Sequence, residues 1–146
     1  MKIQIIAAGK PSLEYARRGI EEYRKRLTRY VNLDLLYVKA GESESVSADL
    51  LSRSEKTCRI AMDERGENMT TAAWVEHFNN FEMDGTIKQV SFLIGASDGH
   101  TPELREQSTH VWSLSKLTMQ HELALTVLLE QIYRVYTIKR GEPYHR

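Results

Sequence analysis

Between Gln89 and Ile94 the chain reads Gln-Val-Ser-Phe-Leu-Ile, apolar at four of six positions, and is then broken by Gly95-Ala96-Ser97-Asp98-Gly99-His100. A strand with one wet face alternates apolar and polar residues. A run this apolar asks for cover on both faces, as in the middle of a parallel sheet. The rest of the chain must therefore supply helices for two sides of a sheet. Lys2–Ala8, Leu33–Val38, Thr57–Met62 and Thr109–Leu114 read as further strands, the third closed by Asp63-Glu64-Arg65-Gly66. Leu13, Ala16, Ile20, Tyr23 and Leu27 recur at three or four residues and predict a helix from Pro11 to about Tyr30. The serine-rich stretch Gly41–Ser47 predicts a mobile loop followed by a short helix. Trp74, Val75, Phe78 and Phe81 mark a helix capped by Thr70 or Thr71, and Thr101-Pro102-Glu103 is a good start for another. Met119–Tyr136 predicts a last helix that is apolar around much of its circumference. Strand and helix alternate throughout. The expectation is an α/β fold, a mainly parallel sheet with helices on both faces, in a single domain over residues 1–146.

That last helix carries more apolar surface than one sheet face covers, so a homodimer is expected. No apolar run reaches the length of a membrane span. The single cysteine, Cys58, excludes an internal disulfide framework and reads as a small buried hydrophobe. The N-terminus makes a poor secretory signal, and a soluble cytoplasmic protein is expected. Formal charge is zero but unevenly spread. Residues 1–30 carry eight basic and three acidic side chains, residues 31–110 seven and fourteen, and residues 111–146 five and three. Basic ends around an acidic middle permit a local nucleic-acid patch without requiring one.

In open parallel sheets ligands bind beyond the carboxyl ends of the strands. Three loops qualify: after Met62, from Gly95, and over Leu114–Met119. The Gly95–Gly99 loop has neither the three glycines of a dinucleotide fingerprint nor the Gly-Lys-Ser/Thr ending of a phosphate loop. His77, His100, His110, His121 and His145 are scattered without metal-ligand spacing, so no metal is expected. His121 reads as a capping or packing residue, and Ser97 lacks the setting of a nucleophile. The tail, Lys139-Arg140-Gly141-Glu142-Pro143-Tyr144-His145-Arg146, joins basic residues to an aromatic and a histidine. Tyr144 can stack on a base, Arg140 and Arg146 can hold phosphates, and His145 can act as a base; the plain alternative is a frayed end.

Four stretches together resemble the ribosomal RNA large subunit methyltransferase H family of the SPOUT methyltransferases. They are Lys2–Lys10, Phe92-Leu93-Ile94-Gly95, the block Leu114–Met119 with His121, and the ending Leu129–Arg134 with Arg140–His145. The resemblance spans the chain. It implies a C-terminal trefoil knot, which pattern reading would never propose because knots are nearly absent from folds. It also implies S-adenosylmethionine as methyl donor, a homodimer, and methylation of N3 of a pseudouridine in large-subunit rRNA of assembled ribosomes. Carried over residue by residue, the cofactor contacts are Met62, Gly95, Leu114, Ser115, Lys116, Leu117, Thr118 and Met119. The catalytic candidates are His145 as base, Tyr144 as stacking platform and Arg140. Several positions depart from the family's usual pattern, and Asp98 and His100 are among them, unusual in their loop. Ala96 stands where a second glycine is usual and is expected to narrow the pocket. Gln120 stands where proline is usual and is expected to loosen the start of the last helix. The competing readings are a SPOUT enzyme for another RNA, such as tRNA, and a dimeric protein that keeps the pocket without catalysis.

Overall fold

The computed structural model describes all residues from Met1 to Arg146. Five strands form one sheet: β1 (Lys2–Ala8), β2 (Asn32–Val38), β3 (Cys58–Asn68), β4 (Gln89–Ile94) and β5 (His110–Ser113). Their order is β2-β1-β4-β3-β5, and every neighbouring pair is parallel. The apolar run β4 sits at the centre, as its composition demands. Between the strands lie α1 (Glu14–Leu27), α2 (Ser43–Arg53), α3 (Thr71–Met83) and α4 (Pro102–Glu106), and α5 (His121–Lys139) ends the fold.

The pleat sorts the core into two layers. Ile3, Ile5 and Ala7 of β1 face α1, α3 and α5, where Trp74, Phe78, Phe92 and Trp112 pack together. Ile6 and Ala8 face the other way, onto Val46 and Leu50 of α2 and Leu104 of α4. On that second side Gln4 Oε1 accepts from Ser91 Oγ at 2.9 Å and from Gln89 Nε2 at 2.9 Å, so the polar residues inside β1 and β4 satisfy one another.

Several sequence expectations change. Helix α1 starts at Glu14 and stops at Leu27. The loop expected over Gly41–Ser47 is already helical from Ser43, because Val46 and Leu50, four apart, drop into the second core layer. Strand β3 does not close at Asp63. It shifts register between Met62 and Glu67 and pairs again with β5 through Asn68. Gly66 permits this: a Cβ there would lie 2.6 Å from the Val111 carbonyl carbon and oxygen, so only glycine lets the two backbones pass. Helix α5 lies against α1 and α3 of its own chain, burying Leu125, Leu128, Leu129, Ile132, Val135 and Tyr136. The apolar excess read from the sequence is thereby mostly covered within one chain, and Leu123, 37% exposed, remains outside.

Candidate active site

The carboxyl ends of β3, β4 and β5 open into one cavity of about 560 Å3. Met62 stands where β3 shifts register, Ile94 ends β4, and Leu114 follows β5. The glycine loop forms one wall. The segment from Leu114 to Gln120 forms another, and His121 and Ala124 of α5 close the floor. Met62, Gly95, Leu114, Ser115, Leu117, Thr118 and Met119 all line it; Lys116 does not. Volume and lining suit an organic ligand of nucleoside size, with apolar side chains for a flat ring and loop backbone for polar contacts.

Three features of this cavity were not read from the sequence. The first is the β3 extension, which supplies Asp63, Glu64 and Arg65. Arg65 grips Asp63 through Nε at 2.9 Å, Nη2 at 2.8 Å and its backbone N–H at 2.9 Å. Burial works to raise the Asp63 carboxyl, but these bonds prevail and hold it below its ordinary value. Glu64 accepts a hydrogen bond from Thr118 Oγ1, which ties the β3 extension to the Leu114–Gln120 segment across the cavity mouth. The second feature is His100, 4% exposed, whose Nε2 donates to the Leu93 carbonyl at 3.0 Å. Its ring fills the space beneath Gly95, where a Cβ would come within 2.7 Å of Nδ1. Burial pushes this imidazole down, toward the neutral form. Gly95 is thus small for the sake of His100 as well as for any ligand.

The third feature is how α5 begins. Gln120 caps it, its Oε1 accepting from the N–H groups of Glu122 at 2.9 Å and Leu123 at 3.0 Å. The expectation that Gln120 loosens this start is corrected: the side chain satisfies two orphan amides that proline would leave to water. Glu122 is nearly buried and accepts from Ser12 N–H at 2.7 Å and Leu13 N–H at 2.9 Å, joining the starts of α1 and α5. A glutamate in the first turn of a helix gives no sequence signal of such a role.

The tail is not frayed. Helix α5 ends in a paired cap: Gly141 N–H donates to the Ile138 carbonyl at 3.0 Å and Glu142 N–H to the Thr137 carbonyl at 2.9 Å. Gly141 takes φ +69, the left-handed value this cap requires. The chain therefore turns back along α5. Tyr144 packs edge-on against Tyr133 with centroids 4.7 Å apart, and its hydroxyl donates to Glu130 Oε1 at 3.0 Å. The Arg134 guanidinium lies 4.8 Å from the Tyr144 ring centre. Burial, followed by the bonds with Tyr23 and Glu130, pushes the Tyr144 hydroxyl up, so it stays protonated. His145 is exposed, with Nδ1 3.1 Å from Arg134 Nη1. Arg140 is exposed over the Tyr30 ring at 5.0 Å, while Tyr30 donates to Glu142 at 2.6 Å. That bond to Glu142 is the chief reason the Tyr30 hydroxyl is raised to about 12. The structure thus brings Arg140, Tyr144 and His145 to one face of α1 and α5, apart from the cavity. Ala124, at the cavity, and Glu130–Arg134, under the tail, lie six to ten residues apart on α5, roughly 9–15 Å of helix rise.

A family model described as "Predicted SPOUT methyltransferase" matches residues 1–145. The chain belongs to this family. Full-length relatives agree with the assignment. "Ribosomal RNA large subunit methyltransferase H" of Thermus thermophilus is 43% identical over 146 residues, covering 100% of this chain and 99% of that one. The protein of the same name from Deinococcus radiodurans is 40% identical with the same coverage. Among solved structures, a probable methylase family protein from Haemophilus influenzae Rd KW20 superposes with a TM-score of 0.58 at 8% identity, over 99% of this chain and 70% of that one. That likeness speaks for the fold alone. No three His, Cys, Asp or Glu side chains of this SPOUT methyltransferase converge as a metal site would need, and no helix is long and apolar enough to cross a membrane.

Proposed function

We propose that this protein methylates N3 of a pseudouridine in the large-subunit rRNA of assembled ribosomes, with S-adenosylmethionine as donor, as a cytoplasmic homodimer. One observation carries the reading. In a chain that matches a SPOUT methyltransferase end to end, three sequence-distant loops converge on a single cavity. The lining fits the donor. Met62, Ile94, Leu114, Leu117 and Met119 offer an apolar slot for adenine, and Glu64 and Asp98 put negative charge near a ligand that carries a sulfonium. The donor supplies an electrophilic methyl group and asks the protein for orientation rather than covalent help. The chain's own part is to enclose the donor with the Leu114–Gln120 segment, to hold the acceptor ring, and to favour the anion left when N3 loses its proton.

Those acceptor-side tasks fall to Arg140, Tyr144 and His145. They are not among the residues that line their own cavity, and in this reading the tail of a second copy serves it. A twofold pair supplies two such composite sites. Exposed Leu13 and Leu123 border that region through the Glu122 bonds and suit the contact. The trefoil threading implied by the resemblance belongs to the same loops and is part of this reading.

The test is calorimetry with S-adenosylmethionine, followed by transfer of a labelled methyl group to intact ribosomes, free rRNA and tRNA. Donor binding with transfer to ribosomes alone is expected. Transfer to tRNA would replace the substrate, and binding without transfer would leave a protein that only holds the ligand.

A further inference from the structure

The histidine of the tail has its two ring nitrogens in different situations. Nδ1 faces Arg134 Nη1 at 3.1 Å, and Arg134 is itself fixed on Glu130 through Nε at 3.0 Å. A guanidinium stays protonated in proteins and has no acceptor, so the contact can only be a hydrogen bond donated by arginine to Nδ1. Nδ1 must then be bare, and the neutral ring carries its hydrogen on Nε2, the nitrogen left to the outside. Tyr144 does not compete for this ring, because its hydroxyl donates to Glu130 Oε1.

We infer that His145 acts as a hydrogen-bond donor through Nε2–H to a ring carbonyl oxygen beside N3, and not as the base that removes the N3 proton. The inference rests on the proposed function for the identity of the acceptor and on the Arg134–His145 geometry for the role. In this arrangement Nδ1 accepts from arginine and Nε2 bears the hydrogen. What the ring can offer is a donor aimed at oxygen. In the reaction the N3–H bond breaks and its proton passes to solvent water. The remaining negative charge spreads onto the two flanking carbonyl oxygens, where a fixed N–H stabilises it. The N3 electron pair then takes the methyl group, and the carbon–sulfur bonding pair returns to sulfur. Arg134 and Glu130 are positioning residues, which set the tautomer without touching the substrate.

Two readouts test the inference on the full-length protein. The first is direct, from nitrogen-15 NMR of the His145 ring. A free imidazole samples both tautomers, so the Nδ1–H form is expected to be suppressed in the wild type and to reappear in Arg134→Leu. A wild-type ring with hydrogen on Nδ1 overturns the inference. The second readout is methyl transfer to ribosomes. His145→Gln keeps an N–H donor and is expected to remain within about tenfold of wild type, whereas His145→Ala falls by about 100-fold. Equal losses in the two variants would assign the ring to proton removal instead. Residue 145 is exposed, so neither change threatens the fold. The wild-type rate is the control for the function itself. If the function reading fails, the failure shows in that rate and not in the ratio of the variants.

Discussion

The cavity and the tail are built by opposite means. The cavity is made from three strands far apart in sequence and the loops beyond them, and its shape comes from backbone loops, two glycines and apolar side chains. The tail is made from neighbours along one helix and its return, and its shape comes from side-chain bonds among Glu130, Arg134, Tyr144 and His145. The first kind of site is held by the whole fold. The second hangs on a helix cap and a few polar contacts, and it can be removed without disturbing the rest. The largest expected effect uses that difference. Deleting Tyr144–Arg146 is expected to cut methyl transfer at least about 100-fold while calorimetry shows unchanged affinity for S-adenosylmethionine. Loss of donor binding in the truncated protein would mean that the two regions are one site.

The converse change is Gly95→Val. A Cβ at this position meets the buried His100 ring at 2.7 Å, and valine adds two methyl groups beyond it. Overpacking of this kind costs about 1–3 kcal/mol, and the displaced loop is expected to weaken donor binding by about tenfold or more. Urea denaturation and calorimetry read the two effects separately. His100→Ala placed in the valine variant is expected to recover part of the stability, since it removes the atoms that valine strikes. No recovery would show that the ligand side of Gly95 carries the whole constraint.

The two regions also differ in how far they could be read in the sequence. Strand positions, the centre of the sheet and the three ligand loops were legible because burial on two faces leaves an apolar run, as in Val90–Ile94, and because loops must follow strands. The β3 extension was not, since Asp63-Glu64-Arg65-Gly66 reads as a turn in isolation. Only the approach of Val111 explains why Gly66 continues a strand. The tail gave residue types without an arrangement. Its one aromatic, Tyr144, finds Tyr133 only after Gly141 turns the chain back. Gln120 reads as a weakening departure and Glu122 gives no signal, for a similar reason. Their partners are backbone amides, which no side-chain pattern announces.

Glu122 offers a smaller effect, on the stability of the junction between α1 and α5. Burial acts to raise its carboxyl, but the Leu13 and Ser12 amides and the Ser12 hydroxyl outweigh that and hold it below its ordinary value of 4.5. A group depressed in the folded state contributes stability that is complete above the unfolded pKa and is lost as pH falls through the folded one. Glu122→Gln keeps the shape, removes the charge, and is expected to cost about 2 kcal/mol at neutral pH. The gap between the two proteins is expected to close as the pH drops below about 4.5. Urea midpoints across that range measure it. A gap that stays constant into acid would mean that the charge on Glu122 contributes nothing and that packing alone joins α1 to α5.

The smallest effect concerns the strap at the cavity mouth. Thr118 Oγ1 donates to Glu64, and the bond is exposed, so water competes for it and its contribution to global stability is within about 0.5 kcal/mol. Its effect on the ligand is larger than that figure suggests, because the strap ties the Leu114–Gln120 segment to the β3 extension and both line the cavity. Thr118→Val keeps the volume and removes the donor. The urea midpoint is expected to stay where it is, while donor dissociation speeds up by about two- to fivefold, a change carried by residence time more than by encounter. Glu64→Ala removes the acceptor but also a charge near the sulfonium, so the double variant is needed as well. If the strap acts through the bond, Thr118→Val has no further effect once Glu64 is replaced. Additive losses would show that the threonine methyl and the glutamate charge act independently, and that the mouth is held by the loops themselves.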